Sequence, residues 1–179
     1  MSTRVPPGSI RDVGVLTRLF AALAGLVTGT RSPRLFLVLG KHRPLFRGWL
    51  RFAGRLMLGG LLPRREIELV ILRVAVLRNS RYEFEQHRRL GRRAGLEPAD
   101  VDRVSAGPDA HGWRERERVL LRATDELHAE QDFDHATWSA LREHLDEREA
   151  IEFCMLVGHY EMLATTITAL RIPVDEPRK

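Results

Sequence analysis

Apolar residues recur at three- and four-residue spacing along most of the chain, and the alternation of a half-buried strand is essentially absent. After the start MSTRVPPGS, expected to be flexible, the pattern predicts an amphipathic helix from Ile10 to about Val27, broken by GTRSP. A short helix carries RLFLVLGKH, and a longer one follows Pro44, with Leu45, Trp49, Phe52, Leu56 and Met57 in register before GGLLP ends it. Pro63 suits the first position of the next helix, where its missing N–H costs nothing, with Glu66 and Glu68 near the positive end of the dipole. That helix, REIELVILRVAVL, is apolar on almost every face and should be central and buried. The stretch NSRYEFEQHRRLGRRAGL follows across a short RNS turn and is closed by Gly95 as a C-terminal cap. Pro98 opens a short helix to about Val104, and the loop SAGPDAHGW brings Trp113 to the start of another. Further helices are expected from Arg114 to Ala129, from Asp134 to Leu145 and from Asp146 to Leu170, the last opened by a capping box between Asp146 and Glu149.

The sum is an all-α chain of roughly eight helices with no linker long enough to separate domains. PRREIELVILRVA and DEREAIEFCMLVG echo one another, as an old duplication or as two core helices obeying the same rules.

Composition narrows the reading. A chain of 179 residues can bury about 70% of its unfolded surface, so it needs no disulfide or metal staple. The single cysteine, Cys154, excludes an internal disulfide and a two-cysteine redox centre; its expected place is a small buried core position. A free thiol is compatible with a reducing cytosol, and a cytoplasmic location is expected. The net charge of +5 is almost entirely arginine, with Lys41 and Lys179 the only lysines. These arginines are interleaved with acids, as in WRERERVLLRATDELHAE, and no groove-reading motif is present, so no nucleic-acid partner is expected. The run GVLTRLFAALAGLVTGT is interrupted by Arg18 and is too short to span a bilayer, which takes about 20 residues. It is expected to pack on the body or on a partner subunit, with no membrane partner.

The chemistry concentrates between Ser80 and His87. Ser80-Arg81-Tyr82-Glu83 fits a capping box, which would account for Ser80 and Glu83 without any catalytic role. It leaves His87 unexplained, four residues beyond Glu83 and on the same helix face. Imidazole exchanges protons in the neutral range, as a general acid or base must. Glu68 and Arg73 are the polar anomalies of the apolar helix before it, and buried carboxylates are rarely tolerated without a partner. Glu68 reaches His87 only if the later helix folds back along the earlier one. His159 and Tyr160 in the last helix read as pocket lining or as a satisfied core pair, and Asp125 and Glu126 as a solvated or interface face. The remaining histidines show no ligand spacing, so no metal is assigned.

LLPRREIELVILRVAVLRNSRYEFEQHRRLGRRAGL, WRERERVLLRATDELH and VGHYEMLATTITALRIP resemble the carboxymuconolactone decarboxylase family, which includes the alkylhydroperoxidase-D-like proteins. The resemblance runs from about His42 to Pro173. It implies an N-terminal helical extension over 1–41, a helical family domain over 42–173 and a tail over 174–179. In peroxidase-type relatives a glutamate is followed by C-x-x-C and then by histidine. Here the glutamate and histidine fall on Glu68 and His87, and the cysteine positions fall on Ser80 and Glu83. The resemblance is therefore to a cysteine-free branch, closer to lactone decarboxylation, acting on an organic acid or lactone without a cofactor and as a homo-oligomer. It implies His87, Glu83 and Glu68 as catalytic residues, with Tyr82, Arg73 and Tyr160 contacting substrate. The alternatives are a ligand-binding member without activity, a peroxidase-like antioxidant protein, and dehydration or isomerisation at the same site.

Overall fold

The computed structural model describes residues 3–178; Met1 and Ser2 of the expected flexible start and Lys179 of the tail lie outside the described residues. Among the described residues the chain is all-α, with α1 Ile10–Val13, α2 Val15–Thr28, α3 Arg34–Leu39, α4 Arg43–Leu58, α5 Arg64–Leu77, α6 Arg81–Arg93, α7 Pro98–Ala106, α8 Glu115–Glu130, α9 His135–His144 and α10 Glu147–Leu170. Ten helices stand where roughly eight were expected. The expected Ile10–Val27 helix is two, because Gly14 adopts φ 84, outside the helical region, and divides α1 from α2.

The chain forms two compact units, residues 1–58 with 166–179, and residues 59–165. In the first, Val13, Ala21 and Leu37 form a small core backed by Phe36. Phe20 of α2, Phe36 of α3 and Phe46 of α4 pack ring against ring, with centroids 5.1–6.3 Å apart. Both ends of the described chain are tied down here. Gly8 N–H donates to Leu37 O, Arg4 N–H donates to Leu170 O, and Arg34 holds Asp175 and the Val174 carbonyl. The start expected to be flexible is thus anchored from Arg4 onward.

In the second unit α5 is the central helix, packed against α6, α7 and α8, with Leu69, Val70, Ile71, Leu72 and Val74 almost fully buried. Its apolar character on all sides is what that position requires. Trp113 completes a cluster with Leu69, Leu72, Val101, Val104 and Leu121, and its indole N–H donates to Gly107 O at 3.0 Å. α10 is long and apolar enough to cross a membrane by length and composition, but Phe153, Leu156, Val157 and Tyr160 bury its inner face in the protein.

The reversal between α5 and α6 matters most for function. Asn79 takes φ 49, its N–H donates to Val76 O, and Ser80 N–H donates to Ala75 O at 2.8 Å. That is a Schellman motif with asparagine in the left-handed position, and it folds α6 back along α5 within three residues. A second such motif ends α6, with Gly95 at φ 86 and Leu96 N–H donating to Gly91 O.

Candidate functional site

Glu68 lies about three turns before the Asn79 reversal, and His87 about two turns after it. Folding α6 back therefore brings the two together. The His87 Nδ1 is 2.7 Å from Glu68 Oε2, and both side chains are buried, Glu68 completely. No other hydrogen bond among the described residues reaches the His87 ring, so Nε2 is left for another partner. The second Glu68 oxygen is held by Arg64 at 2.6 Å, one turn earlier on the same helix. The edge of the Tyr160 ring from α10 meets His87 with centroids 5.0 Å apart, and His159 meets Tyr160 in the same manner at 5.1 Å.

Burial sets the protonation states around this pair. Tyr160 is pushed well above the ordinary phenol range, first by burial and then by the Glu68 and Glu83 carboxylates, so it remains a neutral hydroxyl donor. His159 is pushed down to about 4 by burial and by His87 nearby, and stays uncharged at neutral pH. Burial pushes the Glu83 carboxyl up to about 8, Glu161 reinforces the shift, and the Ser80 hydroxyl and Arg78 oppose it. No hydrogen bond of ordinary geometry reaches either Glu83 oxygen from the described residues. Near neutrality Glu83 is thus a buried, protonated carboxylic acid on the same face of α6 as His87.

The expected capping box is absent. Ser80 does flank α6, but it makes no side-chain cap bond, and Glu83 does not reach back to it. Ser80 is also the third residue past the end of α5, and its N–H is already engaged by Ala75, which fixes its backbone away from a capping geometry. Glu83 is not consumed by the helix end.

Arg73 also departs from expectation. Its Nε and Nη2 donate to the two carboxylate oxygens of Asp125 at 2.5 and 2.7 Å, and Nη1 donates to Val104 O at 2.8 Å. It is five residues from Glu68, about 140° around α5, and ties that helix to α8 and to the end of α7. The guanidinium is thus engaged within the protein, by Asp125 and the Val104 carbonyl. Asp125, expected on a solvated or interface face, is its partner. Tyr82 is buried on α6, five residues and again about 140° from His87, so the phenol set against the imidazole is that of Tyr160.

Arg64 was not singled out in the sequence, although its i,i+4 spacing to Glu68 in RREIE was a readable signal. Glu161 and His128 were also missed. They bond to each other at 2.7 Å, and Arg78 pairs with Glu161 at 3.1 Å beside Glu83. Nothing near these residues in the sequence marks them, because the grouping arises only when α10 packs on α6 and α8. Cys154 is half-buried, and burial raises its thiol above the ordinary value, which favours the unreactive protonated form.

Residues 43–126 match the model of the carboxymuconolactone decarboxylase family. No curated protein matches the chain in sequence. Among solved structures, a peroxidase-related protein from Ralstonia eutropha JMP134 with the alkylhydroperoxidase AhpD core superposes with a TM-score of 0.86 at 19% identity, over 97% of this chain and 93% of that one. A peroxidase-related protein from Silicibacter sp. TM1040 gives 0.82 at 16% identity, over 99% and 95%. A variant of the debrominase Bmp8 in complex with 2,3,4-tribromopyrrole gives 0.82 at 16% identity, over 98% and 93%. The fold is alkylhydroperoxidase-D-like.

Proposed function

We propose that the chain, whose residues 43–126 match the model of the carboxymuconolactone decarboxylase family, is a small-molecule enzyme with the His87–Glu68 pair as its acid–base centre. The observation that carries this reading is the buried 2.7 Å bond from His87 Nδ1 to Glu68, with Nε2 left open. A carboxylate on one ring nitrogen orients the imidazole and stabilises its protonated form, leaving the other nitrogen to exchange a proton with substrate. Arg64 pairs with the far oxygen of Glu68 and fixes that carboxylate in place.

The reaction this arrangement supports is decarboxylation next to a carbonyl or lactone. The bond to the carboxylate breaks, carbon dioxide leaves, and its electron pair is held as an enolate. Protonated His87 then delivers its Nε2 proton to the enolate carbon and is reprotonated from water. The enolate oxygen needs uncharged donors in a dry site, and Tyr160 and protonated Glu83 are of that kind. Proton abstraction and return at the same carbon would make the site an isomerase, a second outcome of the same groups. A thiol cycle that closes a disulfide within the chain needs two cysteines, and this chain has one. The debrominase named above shows that an organic halide is handled on this fold, so brominated aromatic acids belong in the substrate panel.

The test is a panel of carboxylated lactones, β-keto acids and brominated aromatic acids assayed for carbon dioxide release with the wild type, His87→Ala and Cys154→Ser. Cys154→Ser should retain turnover, and His87→Ala should lose at least a hundredfold in kcat/KM with unchanged helicity. Wild-type turnover in His87→Ala would overturn the assignment.

A further inference from the structure

Large apolar side chains cover the outward face of α2. Leu16 is 82% exposed, and Val15, Leu19, Leu23, Leu26 and Val27 are each more than half exposed. The inward face holds Thr17, Ala21, Gly25 and Thr28 instead. Close approach dictates this choice, because a Cβ on Gly25 would stand 2.8 Å from the Thr30 carbonyl oxygen, and one on Gly40 would stand 2.7 Å from Thr17. The helix is inverted relative to a soluble one, and together these side chains expose on the order of 700 Å², close to one partner's share of a stable interface.

α4 carries a second unusual face. Arg43, Arg47, Arg51 and Arg55 follow one another at i,i+4 and are all exposed. Arg43 donates to the carbonyls of Arg11 and Asp12 and lies against Gly14, so the stripe begins beside the start of α2. Arg47, Arg51 and Arg55 have no acidic partner among the described residues. The interleaving of charge seen elsewhere fails here, since no aspartate or glutamate occurs between Asp12 and Glu66. The unit of residues 1–58 and 166–179 has thirteen basic against three acidic residues, net +10, whereas residues 59–165 have sixteen against twenty-one, net −5.

We propose that α2 and α4 form a docking surface for an anionic lipid bilayer, the leucine face of α2 entering the headgroup–acyl boundary and the α4 arginines binding lipid phosphates. At fourteen residues, or about 21 Å, α2 is too short to span and lies in the interface plane. Charge complementarity selects this occupant. A second copy brought face to face would set two units of +10 against each other. A nucleic acid would satisfy the arginines and leave the leucines in water. The apolar face and the basic stripe supply the two signals that stable attachment to a membrane surface requires.

Flotation of the full chain with vesicles tests it. Binding is expected to vesicles of equal parts phosphatidylserine and phosphatidylcholine, to weaken steeply as salt is raised to about 0.5 M, and to be slight with phosphatidylcholine alone. Arg47→Gln with Arg51→Gln should weaken binding about 25-fold, at about fivefold per arginine. Leu19→Ser with Leu23→Ser should weaken it at least tenfold, and circular dichroism reports whether each pair of exposed substitutions leaves the helices intact. A full chain that stays off anionic vesicles at low salt overturns the proposal, as does wild-type binding by both doubly substituted chains. A dimer in sedimentation velocity that Leu19→Ser with Leu23→Ser dissociates, without vesicle binding, assigns the face to a second copy and overturns it equally.

Discussion

At the scale of single residues, the site is defined by unequal treatment of its carboxyl groups. Glu68 is given two basic partners, His87 and Arg64, while Glu83, a turn before His87, is given burial and the neighbouring Glu161. One carboxylate therefore orients the imidazole, and the other carboxyl keeps its proton to about 8. This has a consequence for stability that needs no substrate. Glu83 titrates near 4.5 when unfolded, so between that pH and about 8 the unfolded chain has lost a proton that the folded one retains. Folding stability attributable to Glu83 is then intact at low pH and declines as pH rises, by at most about 1.4 kcal/mol per unit, levelling off above the folded value. Glu83→Gln keeps the shape and removes the titration. Its melting temperature should match the wild type near pH 5 and exceed it increasingly toward pH 8.5. A difference that stays flat with pH would mean that Glu83 is ionised in the folded protein.

At the scale of helices, the α5–α6 hairpin decides whether the pair forms at all, and two left-handed residues set its limits. Gly95 has nothing within 4 Å of where a Cβ would be placed, so Gly95→Ala introduces no clash and tests only the backbone conformation at φ 86. It should cost about 1–2 kcal/mol, seen as a lower urea midpoint with an unchanged slope; an unaltered midpoint would mean that α6 ends without needing that conformation. Much of this hairpin was legible in the sequence. The apolar run of α5, the RNS turn and the Gly95 stop are local signals, and each falls within a residue or two of its expected place. Glu68 and His87 were legible as anomalies, but their meeting was not, because it depends on Asn79 reversing the chain within three residues. The Ser80–Glu83 pattern misled for a related reason. A capping box assumes a free N-cap, whereas this one is shared with the end of the preceding helix. Arg73 misled because its partner, Asp125, is 52 residues away. The outward face of α2 was hidden from the sequence too, since an apolar stripe is read as inward unless one knows that Ala21 is buried and that the chain passes close to Gly25.

At the scale of the molecule, the uneven distribution of charge is a cost that the fold does not require. Arg43, Arg47, Arg51 and Arg55 form three consecutive like-charged i,i+4 pairs on an exposed helix face, each destabilising by about 0.2–0.5 kcal/mol. Natural chains carry such costs where function needs the residues concerned, and the bilayer surface proposed for α2 and α4 supplies that need. Arg51→Glu separates the two demands. It replaces two repulsive pairs by attractive ones with Arg47 and Arg55, a gain of about 1 kcal/mol in all, which for a chain of this size is about 2–4 °C in melting temperature. The gain should shrink as salt rises, because these charges are in water and screened within about 10 Å at 0.1 M. The same substitution removes two units of positive charge from the stripe and should weaken attachment to anionic vesicles more than the loss of one arginine alone. Higher stability together with weaker attachment is the signature of a surface kept for binding. If Arg51→Glu instead lowers the melting temperature, the arginine stripe belongs to the architecture of the N-terminal unit, and its charge has to be explained by the packing of α4.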